Sequence, residues 1–399
     1  MSRNETTLTA GTSPETRRWH GVIIGSFIVQ GFVSASILVR FPQVTELLGI
    51  TTAELGVLLF VGAVGSLLAL SLIGRFISVR GTRIPVVWGT LVLILALVVE
   101  AISIQSGSAV GYGIGLFIAG FAVGAADVGI NVDGAEIESR RGRSTLPRLH
   151  AAYSVGTLVG AGIGTLSMVV GFSLVAQVVV LAALSLSVPV LGFLWEPEGI
   201  GRVVAGADDT ADASSVRGSS FVTLSLVFLG LGIFGMTLAE GASNDWLALT
   251  FSHSFGQSDT VAGLSYVVLL VTISAVRFWG GAVADRFGRV ATLRVLALTG
   301  IAGLLIIALS SDVVVAFIGV VLWGAGVALA FPLFISAAGE MPNPARTVAF
   351  VTTCGYAAFL VGPPLLGFVG HAIGMSNMLW VITAFLAVSF VTAGAARRR

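Results

Sequence analysis

The segment Gly281-Ala-Val-Ala-Asp285-Arg286-Phe-Gly288-Arg289 joins two long apolar runs of the chain. A partial copy joins two earlier runs, with glycines at positions 74 and 81 and an arginine at position 83. Glycines 56, 74 and 81 are spaced by 18 and 7 residues, and glycines 263, 281 and 288 repeat both spacings at an offset of 207. This repetition predicts two structurally equivalent halves.

The composition is that of a membrane protein. Hydrophobic residues make up 56% of the 399 residues and charged residues only 10%, whereas soluble domains carry about 25% charged residues. The 51 glycines suit helices that pack closely in lipid. A net charge of +1 gives no reason to expect binding of nucleic acid.

Twelve segments are apolar enough to cross a bilayer as helices, for which about 20 residues are needed. They cover residues 19–41, 53–74, 84–105, 109–134, 150–171, 174–195, 220–243, 260–283, 294–311, 313–337, 348–370 and 375–395. The sequence therefore predicts an all-α membrane protein with two six-helix bundles, residues 1–195 and 220–399. Acidic and small residues predict a solvated cytoplasmic linker over residues 196–219.

The arginines predict the orientation of the chain. Every arginine except Arg40 and Arg277 falls in segments that share one side of the membrane when the N-terminus is inside. Because basic residues accumulate on the cytoplasmic side, both termini are predicted to be cytoplasmic. No cleavable signal peptide is visible, since the N-terminus is polar. We expect a multi-pass protein of the bacterial inner (plasma) membrane.

The residue types present exclude several chemistries. The sequence contains no lysine, so it has neither a Walker A lysine for nucleotide phosphates nor an amine for a Schiff base. The four histidines lie far apart and Cys354 is the only cysteine, so we predict no metal site and no disulfide. No nucleophile, base and orienting group come together recognisably. We expect neither an enzyme nor a bound cofactor.

The segment after Gly281 resembles the G-x-x-x-D-R-x-G-R signature of the major facilitator superfamily, which occurs between helices 2 and 3 and again between helices 8 and 9. The earlier copy has Ser78 in place of the aspartate. The resemblance implies monomeric action and a cytoplasmic gate that is latched by charge pairs and helix-end contacts. The residues predicted to form this gate are Gly74, Gly81, Arg83, Arg277, Gly281, Asp285, Arg286, Gly288 and Arg289.

Further motifs resemble the fucose permease-like branch of this superfamily, in particular its bacterial members. They are Arg40-Phe41-Pro42, Asp127-Val-Gly-Ile-Asn131-Val-Asp133-Gly134, Leu149-His150-Ala-Ala-Tyr153-Ser154-Val-Gly156 and Ala239-Glu240-Gly241-Ala-Ser-Asn244-Asp245-Trp246. The resemblance implies transport of a small polar solute, with an acidic residue of helix 7 that handles substrate or protons.

Ionisable residues inside predicted spans are functional candidates, because lipid rejects an unpaired charge. Asp127 and Asn131 lie one turn apart on one face of the fourth span, where they could bind sugar hydroxyls, hold a proton or fix helix packing. Glu240 falls in the outer third of the seventh span, and Arg40 is its predicted partner across the fold. The alternative is that Arg40 reaches the lipid headgroups and Glu240 is solvated.

Other polar and aromatic residues complete the candidate set. His150 and Ser154 open the fifth span and could join a proton route or a local hydrogen-bond network. The rings of Tyr153 and Trp246 could stack on a sugar. Glu100, near the outer end of the third span, is expected to be solvated. Proline sites at Phe331-Pro332 and Gly362-Pro363-Pro364 are expected to bend their helices.

The leading functional hypothesis is a proton-coupled transporter that moves a sugar or a related metabolite by alternating access. Its partners would be the solute, protons and the lipid bilayer. The alternative is a proton-antiporting drug or metabolite exporter. Drug antiporters of this superfamily carry an arginine in helix 4 and a G-x-x-x-G-P signature in helix 5, whereas this chain has Asp127 and no proline at those places.

Overall fold

The fold was analysed in a computed structural model that describes residues 13–141, 145–202 and 223–397. Within these ranges it contains twelve helices that are long and apolar enough to span a membrane, which confirms the predicted all-α fold. We number the spanning helices α1 to α12. They are α1 Pro14–Leu38, α2 Thr52–Arg80, α3 Arg83–Ser106, α4 Ala109–Arg141, α5 Leu146–Val169, α6 Leu174–Ser185 with Ser187–Trp195, α7 Leu224–Phe255, α8 Asp259–Phe287, α9 Arg289–Leu309, α10 Val313–Val327 with Ala330–Gly339, α11 Pro344–Ile373 and α12 Met375–Thr392.

Two shorter elements complete the described chain. The helix Phe41–Leu48 joins α1 to α2, and the 3-10 turn Ala393–Ala396 follows α12. Of the predicted linker, residues 203–219 lie outside the described residues, so the proposed division at 196–219 stays a prediction. The prediction for α7 was too short, because that helix continues to Phe255. Glu240 therefore lies near the middle of α7 rather than in its outer third.

Glycines allow helices within each half to touch along their backbones. A Cβ at Gly31 of α1 would collide with the backbone carbonyl of Tyr153, and a Cβ at Gly156 of α5 would collide with that of Ile28. Helices in lipid gain much of their association from such close packing of small residues. The α1–α5 contact therefore fixes the position of Tyr153 at the middle of the molecule.

The two halves meet through α2 against α11 and α5 against α8. A Cβ at Gly56 would lie 2.6 Å from the carbonyl oxygen of Pro363, and one at Gly263 would lie 2.7 Å from the Met168 side chain. The hydroxyl of Thr52 donates to the carbonyl of Gly367 at 3.5 Å. All these contacts lie at the end predicted to be periplasmic, and we call this contact region the outer seam.

Toward the opposite end, several described residues of the same helices are exposed. A Cβ at Gly74 of α2 would meet no described atom within 4 Å. Tyr356 of α11 is 45% exposed, and Trp279 of α8 is 65% exposed. The close contacts between the halves named above thus lie at the predicted periplasmic end, whereas these described residues toward the predicted cytoplasmic end are exposed.

Candidate substrate site between the two halves

The centre of the second half contains a paired charge. Nη2 of Arg277, on α8, lies 2.5 Å from Oε1 of Glu240, on α7. The Glu240 side chain is 14% exposed and the Arg277 side chain 44% exposed. Charges within a membrane are costly unless they are paired or face water. This pair meets both conditions, which marks it as the first element of a candidate site.

A break in α10 holds the guanidinium of Arg277 in place. Pro332 has no amide hydrogen, so it cannot bond the carbonyl four residues earlier, that of Ala328. The first part of α10 ends at Val327 and the second begins at Ala330. Nε of Arg277 donates to the freed carbonyl of Ala328 at 2.9 Å. The proline thereby creates an acceptor that orients Arg277 toward Glu240.

Asp127 extends the polar network into the first half. This carboxylate on α4 interacts electrostatically with His150 and with Tyr356 of α11. Tyr153 of α5 interacts with both Asp127 and Arg277. Tyr153 therefore lies within electrostatic range of both the acidic residue of one half and the ion pair of the other.

Asn131 contacts Asp127 from one turn further along α4, at both its side chain and its backbone. Its Nδ2 donates to the backbone carbonyl of Asp127 at 2.8 Å. Ser154 similarly donates to the carbonyl of His150 at 3.2 Å within α5. The ring of His150 packs edge-on against Phe27, with centroids 5.4 Å apart. Roles of these three polar residues toward substrate or protons remain predictions.

A second polar group on α7 was not among the predicted site residues. The hydroxyl of Tyr266, on α8, donates to Oδ1 of Asn244 at 3.2 Å, and it interacts electrostatically with Tyr153 and Asp245. Asn244 and Asp245 fell outside the predicted span, which stopped at residue 243, so neither was considered as a polar residue within the membrane. The available signal was that Asp245 follows Glu240 by five residues.

Two predicted site residues lie elsewhere. The predicted pairing of Arg40 with Glu240 is wrong, because Arg40 is 2% exposed and bonded within the first half. Its acceptors are Oε1 of Gln43 at 2.6 Å, Oγ of Ser167 at 3.3 Å, Oε1 of Gln177 at 2.5 Å and the carbonyl of Phe172 at 2.9 Å. Trp246 is fully buried, and a Cβ at Gly367 would lie 3.1 Å from it. The indole fills space beside the outer seam instead of lining a cavity.

Two further predictions about charge are corrected. Arg277 was predicted to pair at the cytoplasmic gate, but Glu240 and Ala328 hold it at the centre. Glu100 was expected to be solvated, but it is only 2% exposed. A Cβ at Gly115 would lie 2.6 Å from Cγ of Glu100, so the glycine brings α4 close enough to cover this carboxyl.

The remaining gate residues form charge pairs inside each half. Arg83 pairs with Glu198 at 2.6 Å, and Arg289 pairs with Glu340 at 2.5 Å. Gly81 and Gly288 end their helices with φ of 85° and 82°, a region that favours glycine. Asp285 and Arg286 are exposed. Among the described residues none of these ion pairs joins the two halves, which fits the open predicted cytoplasmic end.

Twelve spanning helices in two halves around a shared polar centre define a multi-pass membrane transporter. The chain belongs to the Major Facilitator Superfamily, whose family model matches residues 22–346 and again 229–399. An uncharacterized MFS-type transporter from Yersinia pestis is 28% identical over 377 residues, covering 94% of both chains. The membrane protein MosC from Rhizobium meliloti is 29% identical over 375 residues, covering 94% of this chain and 89% of MosC.

Solved structures show the same fold. A variant of the nucleoside transporter NupG superposes with a TM-score of 0.76 at 14% identity, covering 96% of this chain and 98% of NupG. The E. coli fucose:proton symporter FucP gives a TM-score of 0.60 at 16% identity, covering 95% of this chain and 98% of FucP. The relatives and the fold are those of transporters and not of enzymes.

Proposed function

We propose that this protein is a proton-coupled transporter of a small polar solute, a sugar or a related metabolite. It acts as a monomer by alternating access in the bacterial inner membrane, with both termini in the cytoplasm. The observation that carries the proposal is the Arg277–Glu240 ion pair, together with Tyr153 in electrostatic range of both Arg277 and Asp127. Fold likeness to the fucose:proton symporter FucP and to the nucleoside transporter NupG supports a hydroxyl-rich solute.

The geometry supports a simple coupling scheme. A proton on Glu240 would remove its charge and weaken its attraction for Arg277. The guanidinium would then be free to donate to solute hydroxyls. Because Tyr153 interacts with both Arg277 and Asp127, it would transmit the change in charge to Asp127 on the other half. Because the halves touch at the outer seam and separate at the other end, closing around solute requires one half to rock against the other.

The test is uptake into proteoliposomes with and without an imposed pH gradient. A thermal-shift screen of the purified protein against sugars, polyols, nucleosides and cationic drugs first identifies a solute. Glu240→Gln and Asp127→Asn should each abolish gradient-driven accumulation, down to the level of protein-free liposomes. Downhill exchange of solute should persist in at least one of these variants, because both keep hydrogen-bonding side chains.

Glu100→Gln is the matched control, since Glu100 is also a buried carboxyl but lies outside the polar network. It should accumulate solute like the unaltered protein. If Glu240→Gln and Asp127→Asn both concentrated solute normally, proton coupling through these residues would be refuted. Outward movement of a drug against an inward proton gradient would instead establish the exporter alternative.

A further inference from the structure

A cavity of about 290 Å³ lies outside the central site, at the predicted cytoplasmic ends of α2, α3 and α6. Its lining includes Arg80, Arg83, Trp88, Phe193, Glu198 and Arg202. Arg83 is held by Glu198 at 2.6 Å and by the carbonyl of Phe193. Nη2 of Arg202 donates to the backbone carbonyl of Arg80 at 3.0 Å. These bonds bring three guanidinium groups to one cavity.

Among the residues that the structure describes, the lining of the cavity has an excess of positive charge. Glu198 neutralises one of the three arginines, and the side chains of Arg80 and Arg202 are exposed. Burial and the neighbouring Asp133 raise the pKa of Glu196 to about 10, which favours the neutral form of this carboxyl. Guanidinium groups recognise phosphate with paired, charge-assisted hydrogen bonds. The cavity is therefore suited to an anion.

The apolar side of the cavity points to a ligand with acyl chains. Trp88 is 61% exposed and Phe193 is 68% exposed, and both lie on spanning helices close to the charged residues. Aromatic residues at helix ends commonly occupy the boundary between headgroups and hydrocarbon. Basic pockets between spanning helices on the cytoplasmic side bind acidic lipid headgroups. A free phosphate would use the arginines but would leave both aromatic rings uncovered.

We propose that this cavity binds the phosphate of an anionic phospholipid from the cytoplasmic leaflet, with Arg80 and Arg202 as its main ligands. The internal repeat does not supply a second such site. At the offset of 207, Phe287 stands in place of Arg80 and Val290 in place of Arg83. The lipid site is therefore a property of the first half alone.

The experiment is native mass spectrometry of the purified full chain, titrated separately with phosphatidylglycerol and with phosphatidylcholine. The first phosphatidylglycerol should bind more tightly than phosphatidylcholine. Arg80→Gln should weaken that step about fivefold, the effect expected for one basic residue near an anionic lipid. Arg75→Gln is the matched control, because Arg75 is an exposed arginine of the same helix that does not line the cavity.

Three outcomes would overturn the proposal. They are equal affinities for the two lipids, equal losses in Arg80→Gln and Arg75→Gln, and displacement of the lipid by an equal concentration of glycerol phosphate. The last would assign the cavity to a soluble phosphate. If Arg80→Gln did not fold, Arg202→Gln would serve as the second variant, with the same expected loss. None of these readouts depends on transport.

Discussion

At the residue scale, the effect of Pro332 comes from its missing amide hydrogen. The proline frees the carbonyl of Ala328, which then orients Arg277. Pro332→Ala would return this carbonyl to the helix, so Arg277 would lose its acceptor. A hydrogen bond to a charged group contributes about 1.5–3 kcal/mol, so we expect solute affinity or transport rate to fall at least about tenfold. Thermal stability should change little, because the backbone hydrogen bond that the helix gains offsets most of the one that Arg277 loses.

Transport assays and thermal unfolding of the same preparation separate these effects. Pro189→Ala is the control, since Pro189 is a buried proline of α6 away from the ion pair. It should leave transport unchanged. Full activity in Pro332→Ala would show that Arg277 is positioned without the Ala328 carbonyl.

A second residue-scale prediction concerns Glu196, which lies just beyond α6. Burial and the neighbouring Asp133 raise the pKa of Glu196 from its ordinary 4.5 to about 10 in the folded protein. Between these values the folded state holds a proton that the unfolded state releases. The contribution of this group to stability is therefore complete below about pH 4.5 and declines as pH rises toward 10.

Glu196→Gln should flatten this decline, which thermal unfolding between mildly acidic and mildly alkaline pH would measure. Glu15→Gln, at an exposed carboxyl of α1, should leave the slope of stability against pH unchanged. An identical slope in Glu196→Gln and the unaltered protein would contradict the assigned protonation.

At the element scale, the repeated glycines show what the sequence could and could not predict. Long apolar runs gave the helices, because a backbone in lipid must satisfy its own hydrogen bonds. The repeat at Gly56 and Gly263 indicated two halves, and the structure shows that both glycines lie at the outer seam. Which helix face a charge occupies could not be inferred from spacing within one helix. Arg40 was therefore predicted to be the partner of Glu240, whereas in the structure Glu240 pairs with Arg277.

The seam itself gives an element-scale prediction. In Gly56→Ala the new Cβ would lie 2.6 Å from the backbone oxygen of Pro363, so α2 and α11 must separate. We expect the outer end to open more often. The measurement is the labelling rate of a Thr52→Cys reporter by an impermeant maleimide, in a Cys354→Ser background. The rate should rise severalfold, because Thr52 is only 7% exposed in the closed seam.

Gly162→Ala is the matched control, because a Cβ there would meet no described atom within 4 Å. Its labelling rate should equal that of the reporter alone. An unchanged rate in Gly56→Ala would mean that α11 yields locally, and that the glycine is not required for closure.

At the scale of the whole molecule, orientation decides which compartment the central site faces. The arginine distribution predicts that the outer seam faces the periplasm, so the site should open to the cytoplasm in the described state. Tyr356→Cys, at a position 45% exposed, should then react in inside-out vesicles, and Thr52→Cys should react little from either side.

Transported solute, added in the presence of a pH gradient, should slow the labelling of Tyr356→Cys. It should speed the labelling of Thr52→Cys from the periplasmic side. Both changes are expected because each transport cycle closes one end of the molecule and opens the other. Val110→Cys is the control, since Val110 is 76% exposed at the predicted periplasmic end of α4. It should react only in right-side-out vesicles, at a rate that solute does not change. Labelling of Val110→Cys only from the cytoplasmic side would invert the topology, whereas solute-independent rates at both other sites would argue against alternating access.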